Sequence, residues 1–169
     1  YLRSDMYHQY APFYSELWHK LRTGDTLLYS WDIGMGVNFT SLFAYYLASP
    51  INWLIALLPQ KYMIEIMNML IVMKLCASSV TFSYYISKHF HTKKCTIALF
   101  GMFYALSAYS AAYSWNIMWL DCIVLIPLIM LGLEKLVDEN KCYLYCISLG
   151  LCIFTNYYIS IMVCISVCL

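Results

Sequence analysis

The chain has 169 residues, of which 63% are hydrophobic and 11% charged, with a formal net charge of +1. A soluble domain carries about 25% charged residues, so a soluble globular surface is excluded. The near-neutral balance, with no basic stripe beyond the lysines of residues 88–94, excludes a nucleic-acid partner. The eight cysteines, at 76, 95, 122, 142, 146, 152, 164 and 168, lie in or beside apolar runs. None forms a CxxC pair, so they read as packing residues rather than as a disulfide framework or a zinc site. Tyr1 is not a start residue and Leu169 falls inside an apolar run. The expectation is a fragment of a longer polytopic membrane protein.

In chain order, residues 1–61 read as a loop outside the membrane core. Tyr10, Phe13, Tyr14, Leu17, Trp18 and Leu21 follow i, i+3, i+4, i+7 spacing, with Glu16, His19, Lys20 and Arg22 largely on the other side. This is an amphipathic helix suited to lying on the outer leaflet, closed by Gly24 at the position of a C-terminal cap. Pro12 favours a start near Ala11. Trp31-Asp32-Ile33-Gly34-Met35-Gly36 is a glycine-hinged loop whose spacing fits neither a dinucleotide nor a phosphate-loop motif. Residues 39–58 are apolar but interrupted by Ser49-Pro50 and Asn52. They are expected to form two short interfacial helices, or a re-entrant pair, rather than a span.

The bundle is expected over 62–169, because crossing a core of about 30 Å takes ~20 helical residues. Spans are expected at 62–87, 95–114 and 119–137, the last with a kink at Pro127. The uncharged 28-residue run from Cys142 to Leu169 exceeds one span. A turn at Thr155-Asn156-Tyr157-Tyr158 divides it into helices at 142–155 and 158–169. Residues 88–94 hold three lysines and the 134–141 loop two more, whereas the alternate loops hold no Lys or Arg. The positive-inside rule puts both lysine-bearing loops in the cytoplasm, Trp115 and Trp119 in the outer aromatic belt, and residues 1–61 outside.

Few residues can carry chemistry. Asp5 is either a helix N-cap or a catalytic carboxylate. Asp121, near the start of the kinked helix, is either a residue favoured by the helix dipole or a second acid that orients the first or holds a metal ion. Lys74 sits midway along its span, where an ammonium costs at least ~2.5 kcal/mol. It heads a polar stripe with Ser78, Thr81 and Tyr85 that must face the bundle. It is either an interhelical hydrogen-bonding partner or a cation for a buried phosphate or carboxylate. Glu65 and Asn68 lie off that stripe. Ala98, Gly101, Ala105, Ala108 and Ala112 form a small-residue packing seam. His89 and His91 are expected to be solvated or lipid-facing. Asn38-Phe39-Thr40 matches the N-glycosylation pattern, a motif short enough to occur by chance.

Several runs resemble the bacterial YfhO-type membrane proteins. They are Asp5-Met6-Tyr7-His8-Gln9-Tyr10-Ala11-Pro12-Phe13, Tyr29-Ser30-Trp31-Asp32-Ile33-Gly34-Met35-Gly36-Val37-Asn38-Phe39, Tyr45-Tyr46-Leu47-Ala48-Ser49-Pro50 and Trp115-Asn116-Ile117-Met118-Trp119-Leu120-Asp121. The resemblance implies an all-α polytopic fold, a helix bundle like that of the GT-C glycosyltransferases with interfacial helices in its first outer loop. It also implies transfer of a sugar from a polyprenyl-phosphate carrier to an extracytoplasmic acceptor, such as lipoteichoic acid or another cell-envelope glycopolymer, in the bacterial cytoplasmic membrane. In that class the first outer loop carries an essential acid, and Asp5 stands in its place. Supporting or donor-phosphate contacts are then expected among Arg3, His8, Gln9, Tyr10, Lys74, Asn116 and Asp121. No DxD pair is present, so dependence on a divalent metal is open, with Asp121 its candidate ligand. A transporter or lipid flippase is the rival reading and a structural scaffold the third. Convergence of Asp5 and Asp121 on one outward cleft would favour the enzyme.

Overall fold

The computed structural model describes residues 5–91 and 95–168. It is all-α apart from one two-stranded ribbon, as expected for a membrane helix bundle. A π-turn over Met6–Tyr10 leads into helix α1 (Ala11–Thr23), with Pro12 in its first turn. Gly24 ends α1 in the left-handed region, at φ 71°, and donates its N–H to the Lys20 carbonyl. Strands β1 (Tyr29–Ser30) and β2 (Val37–Asn38) pair antiparallel. The turn between them passes through Gly36 at φ 99°, where a Cβ would also run into the Tyr29 ring. Both constraints require glycine there. The spacing of this segment suggested only a loop, because two-residue strands carry no periodicity.

Asn38 caps α2 (Phe39–Leu42) by accepting from the Thr40 and Ser41 amides. A π-turn, Phe43–Leu47, extends it to the break at Ala48-Ser49, and a 3₁₀ helix, Pro50–Leu57, follows. The 39–58 stretch is therefore two short helical pieces. A 3₁₀ turn, Gln60–Tyr62, then opens the bundle.

Helix α3 (Met63–His89) is followed by α4 (Thr96–Ala105) and α5 (Ala108–Tyr113), then α6 (Ile117–Glu139), α7 (Tyr143–Thr155) and α8 (Tyr157–Cys168). Three stretches, Gln60–His89, Thr96–Tyr113 and Ile117–Glu139, are long and apolar enough to cross a membrane. The second is broken at Leu106-Ser107. Helix α7, of 13 residues, falls short of the ~20 that a full crossing takes. The turn between α7 and α8 is a single residue, Asn156. Its side chain accepts from the Ile159 amide at the head of α8 and donates to the Tyr45 carbonyl of the loop region.

Cross-links set the directions of the helices. Lys74 meets Asp121, and Tyr85 and His89 meet Glu134, so α3 and α6 run parallel. Helix α4 runs back along α3: Ser83 bonds the Ile97 carbonyl, and a Cβ on Gly101 would lie 2.6 Å from the Ser79 carbonyl oxygen. The small-residue seam is thus a close approach at Gly101. Gly132 serves α6 in the same way, where a Cβ would come within 2.5 Å of the Tyr145 backbone nitrogen on α7. Lys88 at the end of α3, and Lys135 and Lys141 at the end of α6, consequently lie at one end of the bundle, and residues 5–62 cover the other.

Pro127 lies inside α6, and the helix continues through it. Proline has no N–H, so the Ile123 carbonyl loses its usual donor. The Tyr104 hydroxyl of α4 supplies one at 2.8 Å. Tyr104→Phe is therefore expected to destabilise the protein by about 0.5–1.5 kcal/mol. Pro127→Ala, which restores an amide donor, should abolish most of that penalty. Thermal unfolding of both single variants and the double variant in detergent measures the coupling; strictly additive effects would refute it.

Candidate functional site

Residues 5–62 form a packed cap, and their contacts correct the expected picture of α1. Its apolar face does not lie on lipid. Met6, Tyr10, Tyr14 and Leu17 are buried in one core with Phe39, Leu47 and Ile55 of the loop and Met63, Ile66, Met67 and Leu70 of α3. Nor is the other face wholly solvated, because Glu16 and Lys20 are buried. Lys20 donates to the Thr26 and Tyr29 carbonyls at 2.9 and 3.0 Å, and Ser30 donates to Glu16 at 2.6 Å. The ribbon segment folds over that side and takes its hydrogen bonds from it. Spacing shows which residues share a face but not what covers the face. The Trp18 indole N–H fastens α1 to the Leu58 carbonyl at 2.7 Å.

Asp5 stands half-exposed at the head of the π-turn. It is not a capping residue: its backbone is already α-helical and its side chain makes no capping bond. In the turn it heads, the Ala11 amide bonds the Met6 carbonyl, an i→i+5 step. That wider winding, a geometry found often at functional sites, brings Asp5 over Gln9 and Tyr10. Tyr10 contacts Tyr46 edge-on at 5.6 Å between ring centroids; Tyr46 packs on Tyr45 at 4.7 Å, and Tyr45 on Tyr157 at 5.7 Å. Burial, then the neighbouring tyrosines and the Asp5 charge, push the Tyr10 and Tyr46 phenols up from their ordinary value. Both therefore stay neutral hydrogen-bond donors beside the carboxylate. The Tyr10 hydroxyl donates to Asn116 Oδ1 at 3.0 Å, tying the Asp5 turn to the head of α6.

Lys74 and Asp121 form a second, buried group. Lys74 is fully buried, and its Nζ lies 2.6 Å from Asp121 Oδ2, 3.1 Å from the Ile117 carbonyl and 3.4 Å from Asn52 Oδ1. Ser49 donates to the other oxygen of Asp121 at 2.8 Å. Asn52 donates in turn to the Leu47 carbonyl at 3.3 Å. The break at Ser49-Pro50 thus delivers two polar side chains to the buried Lys74–Asp121 pair between α3 and α6. The fully buried Tyr14 hydroxyl faces Asn52 and Asp121 without hydrogen-bond geometry to either. Burial first, and then the Asp121 charge, raise its pKa well above the ordinary range.

Of the residues singled out from sequence, Asp5, Gln9 and Tyr10 share the π-turn, with His8 exposed beside them. Asn116 joins them through Tyr10. Lys74 and Asp121 meet each other instead. Asp121 is only 4% exposed, so the two acids do not converge on one open cleft. Arg3 lies outside the described residues. A metal ion at Asp121 does not fit this donor set, because one oxygen holds an ammonium and the other a hydroxyl. Among the described residues no group of three or more His, Cys, Asp or Glu side chains is arranged to hold a metal. At the far end, His89 Nδ1 lies 2.8 Å from Glu134, to which Tyr85 also donates at 3.0 Å. His89 is therefore paired rather than simply solvated. Ser49, Asn52, Tyr14 and Tyr46 escaped the reading of the sequence; the one signal was two polar residues interrupting an apolar stretch.

Comparison with curated proteins returns no match, and neither does comparison with solved structures. The family described as bacterial membrane protein YfhO matches residues 1–169. That match covers the entire chain, with its three span-length apolar helices and its folded cap, and the chain belongs to the YfhO family of bacterial membrane proteins.

Proposed function

We propose that this chain is the acid-bearing part of a membrane glycosyltransferase. It moves a sugar from a polyprenyl-phosphate carrier to an extracytoplasmic acceptor, such as lipoteichoic acid or another cell-envelope glycopolymer, with Asp5 as general base. The observation that carries this reading is the setting of Asp5. A half-exposed carboxylate sits on a π-turn that is rigidly docked through Tyr10 to Asn116, next to a cluster of tyrosines. In the step, Asp5 takes the proton of an acceptor hydroxyl while its oxygen bonds the anomeric carbon, and the bond from that carbon to the carrier phosphate breaks. Lipid phosphate leaves with the electron pair, and the proton held by Asp5 passes to water. A neutral donor such as the Tyr46 phenol suits the charge growing on the phosphate.

Lys74 and Asp121 act in this reading as positioning residues. They hold Ser49 and Asn52, and with them the loop that packs on the Asp5 turn. Sidedness follows from the lysines: Lys88, Lys135 and Lys141 share one end, which the positive-inside rule assigns to the cytoplasm of the bacterial cell. The cap and Asp5 then face outward. The rival reading, a transporter or lipid flippase, has one observation in its favour, the charged pair buried in the bundle beside broken helices. Radiolabelled transfer from a polyprenyl-phosphate sugar by the full-length protein in membranes separates the two. The enzyme reading expects label in an acceptor, and carrier translocation without any transfer would contradict it.

A further inference from the structure

The end of the bundle away from the cap carries a cavity that the transfer chemistry does not use. It has a volume of about 660 Å³ and lies between the last turns of α3 and α6, with Lys88, His91, Leu131, Lys135 and Asp138 among its walls. Glu134 also lines it but is already engaged, by Tyr85 at 3.0 Å and His89 at 2.8 Å. Glu139, in the same wall, is paired with Lys141 at 2.7 Å. Lys88, Lys135 and Asp138 are left without an ion-pair partner among the described residues. Two positive charges and one negative charge thus face a single cavity, which suits a ligand with one negative charge of its own.

The position of the cavity says where that ligand comes from. Helix α3 has 27 residues, about 40 Å at ~1.5 Å per residue, against a hydrocarbon core of about 30 Å. Its last turn therefore reaches the headgroup layer. Val80, Tyr84 and Lys88 follow i, i+4, i+8 spacing and are all exposed, and the Lys88 ammonium rests over the Tyr84 ring at 5.6 Å. An exposed apolar strip thus leads up to the lysine at the cavity wall. A phospholipid uses both parts, laying its chains along the strip and its phosphate at the lysine, whereas free phosphate has no use for the strip.

We infer that this cavity binds the headgroup of an anionic phospholipid from the cytoplasmic leaflet. Its phosphodiester lies between Lys88 and Lys135, and its headgroup hydroxyls donate to Asp138. Basic pockets between spanning helices on the cytoplasmic side take ligands of this class. The inference is independent of the transferase reading, because Asp5 lies at the opposite end. A lipid held there joins α3 to α6 beyond the bonds that Tyr85 and His89 already make to Glu134, so it also stabilises the bundle.

The test measures phosphatidylglycerol binding to the full-length protein in neutral detergent by native mass spectrometry, with phosphatidylcholine and inorganic phosphate for comparison. The wild type should retain phosphatidylglycerol in preference to phosphatidylcholine, and less strongly in high salt. Lys88→Gln and Lys135→Gln should each weaken that binding roughly three- to fivefold, and the double variant roughly 10–30-fold. Lys61→Gln, at the cap end, should leave it unchanged. Phosphatidylglycerol should raise the thermal unfolding midpoint of the wild type but not of the double variant. Without lipid the two midpoints should agree, because neither lysine gives up an ion pair. Asp138→Asn should erase the preference for phosphatidylglycerol over phosphatidic acid, which lacks the hydroxyls and carries extra charge that the carboxylate repels. Equal retention of phosphatidylglycerol and phosphatidylcholine by the wild type, or wild-type binding in both single lysine variants, overturns the inference. So does displacement of the lipid by inorganic phosphate at comparable affinity, which would make the cavity a free-phosphate site. An unchanged preference in Asp138→Asn overturns the headgroup assignment.

Discussion

Lys74→Met should destabilise the protein by about 3–5 kcal/mol, the range for removing one partner of a buried ion pair. Methionine is unbranched like lysine, one atom shorter, and fills most of its space, so the loss is chiefly electrostatic. Asp121 would be left 4% exposed with only Ser49 Oγ on its carboxylate. The Ile117 carbonyl and Asn52 Oδ1 would lose a donor together with it. Asp121→Asn, which keeps a hydrogen-bonding acceptor but not the charge, should cost less. The double variant Lys74→Met/Asp121→Leu should recover much of the stability, because no lone charge stays buried. It should still loosen the cap, since Ser49 has then lost its acceptor. Thermal unfolding in detergent gives the first set of values, and protease susceptibility of the 39–62 segment the second. A Lys74→Met protein with wild-type stability and an intact cap would show that the pair holds nothing together.

Asp5→Asn should leave the fold intact and reduce sugar transfer by roughly 10²–10⁴-fold, the usual contribution of a general base. The side chains have nearly equal shape, and Asp5 is half-exposed on helical backbone that asparagine also adopts. An unfolding midpoint close to that of the wild type is therefore expected. The loss should fall on kcat rather than on KM, because the carboxylate acts as the proton moves. Asp5→Glu, which retains the base at a shifted position, should keep a fraction of the activity. A structural role would instead lower the midpoint in both variants. Asp5→Asn with transfer within about threefold of wild type would remove Asp5 from the chemistry.

The two predictions draw on parts of the chain that the sequence reveals unequally. Gly24 at the end of α1, Pro12 at its start and Asn156 between α7 and α8 are legible because each answers a local backbone requirement. So is the burial of Lys74, since an ammonium midway along an apolar helix must turn inward. Its partner is not legible. Asp121 lies 47 residues away on another helix, and nothing in the 3.6-residue period of either segment links them. Glu134 and His89, 45 residues apart, pose the same difficulty. Spacing puts Glu16 and Lys20 on the side of α1 away from its apolar face, where charged side chains usually meet solvent. The β1–β2 segment supplies the carbonyls and the hydroxyl that make their burial tolerable, and only tertiary structure reveals that. Asp5 looked like a cap because aspartate before a helix usually is one. The π-turn, which no spacing rule announces, carries it into the helix instead.

The whole account turns on which side of the membrane the cap occupies, and Met35 is the place to ask. It is 100% exposed, in the turn between β1 and β2. With the native cysteines replaced, Met35→Cys in the full-length protein should react with a membrane-impermeant maleimide in intact cells, before any lysis. Labelling that occurs only after the cells are opened would place Asp5 in the cytoplasm and contradict the proposed transfer to an extracytoplasmic acceptor.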